Sequence, residues 1–162
     1  MIYPFNATEA FKIAVGIEEN GFRFYTQAAK KLPPGKLADL FISLAKEEEI
    51  HKATFTHILS GLPQEQDNVF DPENETDQYL KMMSDINIFQ QGAKAIDEAL
   101  AGVLTVKDAL KLAMTFEKDS IVFYVQLKNS TETLADKVSV DHLILEEAKH
   151  LRKLAIIYNT IT

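Results

Sequence analysis

Leu44-Ala45-Lys46-Glu47-Glu48-Glu49-Ile50-His51 and Leu143-Ile144-Leu145-Glu146-Glu147-Ala148-Lys149-His150 are two copies of one pattern, an E-x-x-H pair preceded by a further glutamate, set about a hundred residues apart. Thirty residues before each pair stands another glutamate, and seven residues after that a tyrosine: Glu18 and Tyr25 in the first copy, Glu117 and Tyr124 in the second. Matches at the same offset continue through Ala10 and Ala109, Lys12 and Lys111, Ala14 and Ala113, Phe24 and Phe123, Glu47 and Glu146, and Ile58 and Ile157. A duplicated two-helix unit is the economical reading.

The periodicity around these residues is helical. From Thr8, read as an N-cap, an apolar stripe runs through Phe11, Ala14, Glu18, Gly21, Tyr25 and Ala28 until Pro33-Pro34 ends the helix. A second helix carries Leu37, Phe41, Leu44, Glu48, His51, Phe55, Ile58 and Leu62 in alternating four- and three-residue steps, and Gly61 and Pro63 stop it. A third starts at Thr105, with Asp108 completing a capping-box variant, and aligns Leu110, Ala113, Glu117, Ser120, Tyr124 and Leu127 before ending near Asn129-Ser130. The fourth lines up Val140, Leu143, Glu147, His150, Leu154, Ile157 and Ile161. Between the pairs, the polar stretch Gln64–Asp77 is followed by Phe89, Ala93, Ile96 and Leu100 at helical spacing, which predicts one or two short helices inside a long connection. The expected fold is all-α: one domain over residues 1–162, helix pairs at 8–62 and 105–162, and a crossover at 63–104 that leaves helices two and three parallel, the connectivity of ferritin-like four-helix bundles.

Composition narrows the function. A formal charge of -7 offers no basic stripe for phosphates, so nucleic acid is not an expected partner. The absence of cysteine excludes disulfides, thiolate zinc sites and cysteine-ligated iron-sulfur clusters, so any metal must use oxygen and nitrogen ligands. No segment approaches the ~18 apolar residues of a membrane span, and the N-terminus lacks a basic start followed by an apolar run. No membrane partner and a cytoplasmic location are expected.

On a helix, residues i and i+3 share a face, so each E-x-x-H pair presents a carboxylate and an imidazole to one point. With Glu18 and Glu117 from the other helices, four carboxylates and two imidazoles meet in one core. Without cations that core is poor: each unpaired buried charge costs several kcal/mol, and crowded carboxylates raise one another's pKa. Two divalent cations would neutralise the four carboxylates, which explains why charge interrupts the apolar seams at these places. The pattern points to a dinuclear metal centre.

One Glu from each of two helices and Glu-x-x-His from each of two others is the ligand set of ferritin-like di-iron and di-manganese proteins. The motifs A-x-x-x-E-x-x-G/S-x-x-F-Y in the odd helices and E-E-x-x-H in the even ones resemble the rubrerythrin-like branch of that superfamily, over all four main helices. The resemblance implies two iron ions, with manganese as the alternative. Glu18, Glu48 and His51 would hold one and Glu117, Glu147 and His150 the other, with Glu48 and Glu147 bridging. Tyr25 and Tyr124 would each donate a hydroxyl to a ligand carboxylate, Gly21 and Ser120 would leave room for a small oxidant, and no catalytic residue is expected beyond the metal centre. Rubrerythrins proper carry a further carboxylate where this chain has Ser120, and a rubredoxin domain for which this chain has no cysteine. The implied activity is therefore reduction of hydrogen peroxide, or dioxygen, with electrons from a separate donor protein or small reductant, in a homodimer. Ferroxidase or iron-handling activity and a structural, metal-stapled bundle are the alternatives.

The remaining titratable residues read as ordinary surface. His57 lies off the seam of helix two and His142 near the start of helix four. Glu47, Glu49 and Glu146 flank ligands but point to other faces, so they are expected in solvent. Whether Asp97 or Glu98, in the crossover, approaches the site in place of the missing carboxylate at position 120 is not legible in the sequence, because the geometry of a long crossover cannot be read there.

Overall fold

The computed structural model describes residues 7–62, 73, 75, 78, 82, 92–103 and 105–161. Four long helices, α1 (Ala7–Lys31), α2 (Lys36–Gly61), α4 (Val106–Asn129) and α5 (Leu134–Thr160), are accompanied by a short α3 (Ala93–Ala101), with no strand among the described residues. The predicted stripes are the buried faces. Phe11, Ala14, Glu18, Gly21, Tyr25 and Ala28 are buried along α1, and Leu110, Ala113, Glu117, Ser120, Tyr124 and Leu127 along α4.

The helix ends follow local chemistry. At α4 the Thr105 hydroxyl accepts from the Asp108 N–H at 3.1 Å, while Asp108 Oδ2 accepts from the Thr105 N–H at 2.9 Å, a complete capping box. Thr133 caps α5 by accepting from the Asp136 N–H at 3.1 Å. Between α1 and α2 the chain turns at Gly35, whose φ of 147° lies in the region that favours glycine. Thr8 is a correction: α1 already includes Ala7, so Thr8 lies inside the helix rather than at the N-cap, and it is buried.

α1 packs mainly on α2, and α4 on α5, while α1 also meets α4 and α2 meets α5. Tyr124 reaches Glu18 and Tyr25 reaches Glu117, so α1 and α4 run antiparallel. His51 pairs with Glu146 and His150 with Glu47, so α2 and α5 do too. Since a short link makes α1 and α2 antiparallel, α2 and α4 are parallel, as the long crossover requires. From that crossover α3 docks on α1, burying Ile96 and Leu100 as their spacing predicted, whereas Ala93, on the same predicted stripe, is exposed at the first turn. Phe89 and most of the stretch 64–77 lie outside the described residues.

Two aromatic clusters bracket the middle of the bundle. Phe24, Tyr25, Phe41 and Phe116 pack edge-to-face or tilted on one side, and Phe11, Phe55, Phe123 and Tyr124 on the other. Along α1 and α2 the charged residues Glu18, Glu48 and His51 fall between these clusters, so the polar layer is sealed from both ends of the bundle by apolar side chains. No helix among the described residues is long and apolar enough to cross a membrane.

Candidate metal centre

Each long helix contributes one turn to a single buried layer: Glu18 from α1, Glu48 and His51 from α2, Glu117 from α4, Glu147 and His150 from α5. All six predicted residues come together, and each is at most 5% exposed. The three-residue spacing within α2 and α5 puts carboxylate and imidazole on one face, and the antiparallel crossing turns the two faces toward each other. The imidazole rings stack with centroids 5.6 Å apart and planes 17° apart.

Both rings aim Nδ1 inward. His51 Nδ1 lies 2.7 Å from Glu147 Oε1 and 3.6 Å from Glu18 Oε2. His150 Nδ1 lies 3.2 Å from Glu147 Oε2 and 3.5 Å from both Glu48 Oε1 and Glu117 Oε1. These are ion-pair separations without hydrogen-bond geometry, because both nitrogens and both Glu147 oxygens remain without a hydrogen-bond partner, as do Glu18 Oε2 and Glu48 Oε1. Six buried polar atoms of the carboxylates and imidazoles thus converge without a hydrogen-bond partner. The ligand atoms fall into two sets within 4.8 Å of one another that could each hold a metal ion: Glu18, Glu48, His51 and Glu147, and Glu48, Glu117, Glu147 and His150. Glu48 and Glu147 belong to both, the sharing that two bridging carboxylates require. Four carboxylates and two imidazole nitrogens suit iron(II) or manganese(II), and the orphaned donors fit such ions.

Protons alone balance these charges badly. Burial, and then the charge of Glu147, drive the Glu48 and Glu117 carboxyls well above their usual range. Burial would do the same to Glu147, but His150 and His51 outweigh it and hold that carboxylate far down. Burial opposes charging of His51, yet the Glu147 and Glu18 carboxylates push it up to about 12, and His150 is raised in the same way by Glu117, Glu147 and Glu48. Cations between these groups would remove the conflict.

The tyrosines cross the bundle. Tyr124 donates its hydroxyl to Glu18 Oε1 at 2.5 Å, and Tyr25 donates to Glu117 Oε1, so each tyrosine orients the glutamate of the other repeat. Burial first, and then those carboxylates, raise both phenols well above 10.0, keeping them protonated donors.

One expectation needs correction. Glu47 and Glu146 are not simply solvated: Glu47 Oε2 lies 2.7 Å from His150 Nε2 and Glu146 Oε2 lies 2.9 Å from His51 Nε2. Each carboxylate accepts the outer N–H of the imidazole on the facing helix, which leaves Nδ1 bare toward the site. The antiparallel crossing of α2 and α5 brings position 47 opposite 150 and 146 opposite 51, and the match of Glu47 with Glu146 in the repeat was the signal for it. Asp97 and Glu98, in turn, do not reach the site. Asp97 pairs with Arg23 at 3.1 Å, and Glu98 is exposed beside Lys94 at 3.7 Å, because Ile96 and Leu100 take the inward face of α3. Glu49 and His57 are exposed as expected. His142 is at the surface too, 3.5 Å from Glu146 Oε1.

The sequence matches the rubrerythrin family over residues 9–158. Among solved structures, a protein from Thermotoga maritima described as a ferritin-like diiron-carboxylate protein superposes with a TM-score of 0.68 at 24% identity, covering 97% of this chain and 97% of that one. The likeness establishes a ferritin-like fold. No curated protein gives a significant match.

Proposed function

This chain belongs to the rubrerythrin family, and on that premise we propose that it is a non-haem di-iron oxidoreductase that reduces hydrogen peroxide, or dioxygen, with electrons from a separate donor. The observation that carries this reading is the convergence of six orphaned donor atoms, with Glu48 and Glu147 common to both ligand sets. Glu18, Glu48, His51 and Glu147 would hold one ion, and Glu117, His150, Glu48 and Glu147 the other. Bound iron would supply Lewis acidity and the two electrons that the reduction of peroxide to water consumes.

The chain's own groups have definite tasks in this scheme. Glu47 and Glu146 hold the imidazoles as Nε2–H donors, so that Nδ1 is the free ligand atom. Tyr25 and Tyr124 fix the rotamers of Glu117 and Glu18. The aromatic clusters exclude water along the bundle axis, which strengthens every charge interaction inside. The 162 residues contain no cysteine for a rubredoxin-type centre, and on this reading the re-reducing electrons are supplied by a separate donor. A homodimer, the assembly implied by the resemblance, is part of the same proposal.

The second reading, iron handling, is favoured by the same carboxylate-rich core and differs in what happens to the iron. The discriminating experiment loads metal-free protein anaerobically with ferrous iron, adds one equivalent of peroxide, removes loose metal on a desalting column, and then adds a chemical reductant. The oxidoreductase reading expects about two irons per chain to stay bound and to cycle between ferrous and ferric through repeated peroxide additions. Uptake far beyond two, or loss of the iron after one oxidation, would contradict it and favour iron handling.

A further inference from the structure

The repeat makes Glu48 and Glu147 equivalent in sequence, but the fold treats them differently. Glu147 lies between the two imidazoles, 2.7 Å from His51 Nδ1 and 3.2 Å from His150 Nδ1. Glu48 stands off, with Oε1 3.5 Å from His150 Nδ1, and its other oxygen lies against α1 at Gly21. A β-carbon built at position 21 would come within 2.8 Å of Glu48 Oε2 and 3.4 Å of its Cδ and Cγ, the first a separation that real β-carbons essentially never show. Gly21 sits in the middle of α1, where glycine is among the poorest helix formers and where no positive φ calls for it. At the repeat-related position the chain has Ser120, which does carry a β-carbon.

We propose that Gly21 is a positioning residue whose missing side chain gives the Glu48 carboxylate a berth against α1. The two shared carboxylates are thereby made inequivalent: Glu147 is held between the imidazoles, and Glu48 is seated against α1. The consequence for metal binding rests on the di-iron reading above; the placement of Glu48 does not.

The test is Gly21→Ala, with Gly61→Ala as the control, since a β-carbon at 61 meets nothing within 4 Å. The clash at 21 is with the far end of a flexible side chain, so the variant folds, and with a better helix former in place its metal-free Tm is expected to equal or exceed that of the wild type. Crystal structures of the metal-free proteins are expected to show the Glu48 carboxylate turned away from α1 in Gly21→Ala. Anaerobic titration with ferrous iron is expected to show affinity at least about tenfold weaker than in the wild type and in Gly61→Ala. An unmoved Glu48 carboxylate, or unchanged affinity with the wild type binding normally, overturns the proposal. Should the wild type bind no ferrous iron, the di-iron reading falls, and the crystal structures alone then uphold the role of Gly21 by a displaced carboxylate or overturn it by an unmoved one.

Discussion

Each imidazole at the centre is held by its outer nitrogen. Glu146 on His51 and Glu47 on His150 decide the tautomer and leave Nδ1 available, so removing either carboxylate should weaken one ion more than the other. Glu146→Ala is expected to reduce affinity at the His51 half of the centre, and Glu47→Ala at the His150 half, each by about 10–100-fold in a competitive metal titration; wild-type isotherms in both variants would contradict this. Protonation gives a second residue-level prediction. A group whose folded pKa is raised adds stability below its unfolded pKa and loses it as pH climbs through the folded value. His51, raised from 6.5 to about 12, acts in that direction, and so do the raised carboxyls of Glu48 and Glu117. The metal-free protein should therefore show a falling Tm by calorimetry between about pH 6.5 and 9, while the loaded protein, with cations in place of those protons, should show a much flatter profile; a metal-free Tm that rises over this range would refute the assignment. The six inward residues were legible because each interrupts an apolar seam. Glu47 and Glu146 were misread because a single helix shows only that they leave its own seam, and the facing helix decides where they arrive.

At the scale of the helix, local chemistry settles most boundaries. The capping box at Thr105 satisfies two backbone donors reciprocally, so Thr105→Ala should cost about 1 kcal/mol in urea unfolding; a change within experimental error would mean that packing alone defines the start of α4. Four long helices and their buried faces followed from three- and four-residue steps, and the inward face of α3 followed from Ile96 and Leu100. The destination of Asp97 did not. A crossover of some forty residues leaves its docking to tertiary contacts, and it is Arg23 on α1 that meets the Asp97 carboxylate. Thr8 falls inside α1 because cap propensity is a weak local preference that does not fix a helix boundary to the residue.

For the whole molecule, duplication explains both the symmetry and its limits. Two helix pairs crossing antiparallel set Tyr25 opposite Glu117 and Tyr124 opposite Glu18, and likewise His51 opposite Glu146 and His150 opposite Glu47. The symmetry breaks at position 21, where Gly21 lies against the Glu48 carboxylate and the repeat-related residue is Ser120. The central claim is that Glu48 and Glu147 belong to both ions of one dinuclear centre. It is tested most directly by counting ferrous ions bound per chain, anaerobically, in the wild type, Glu18→Ala and Glu48→Ala. The account predicts about two in the wild type, about one in Glu18→Ala and almost none in Glu48→Ala. Equal metal content in all three proteins would contradict it.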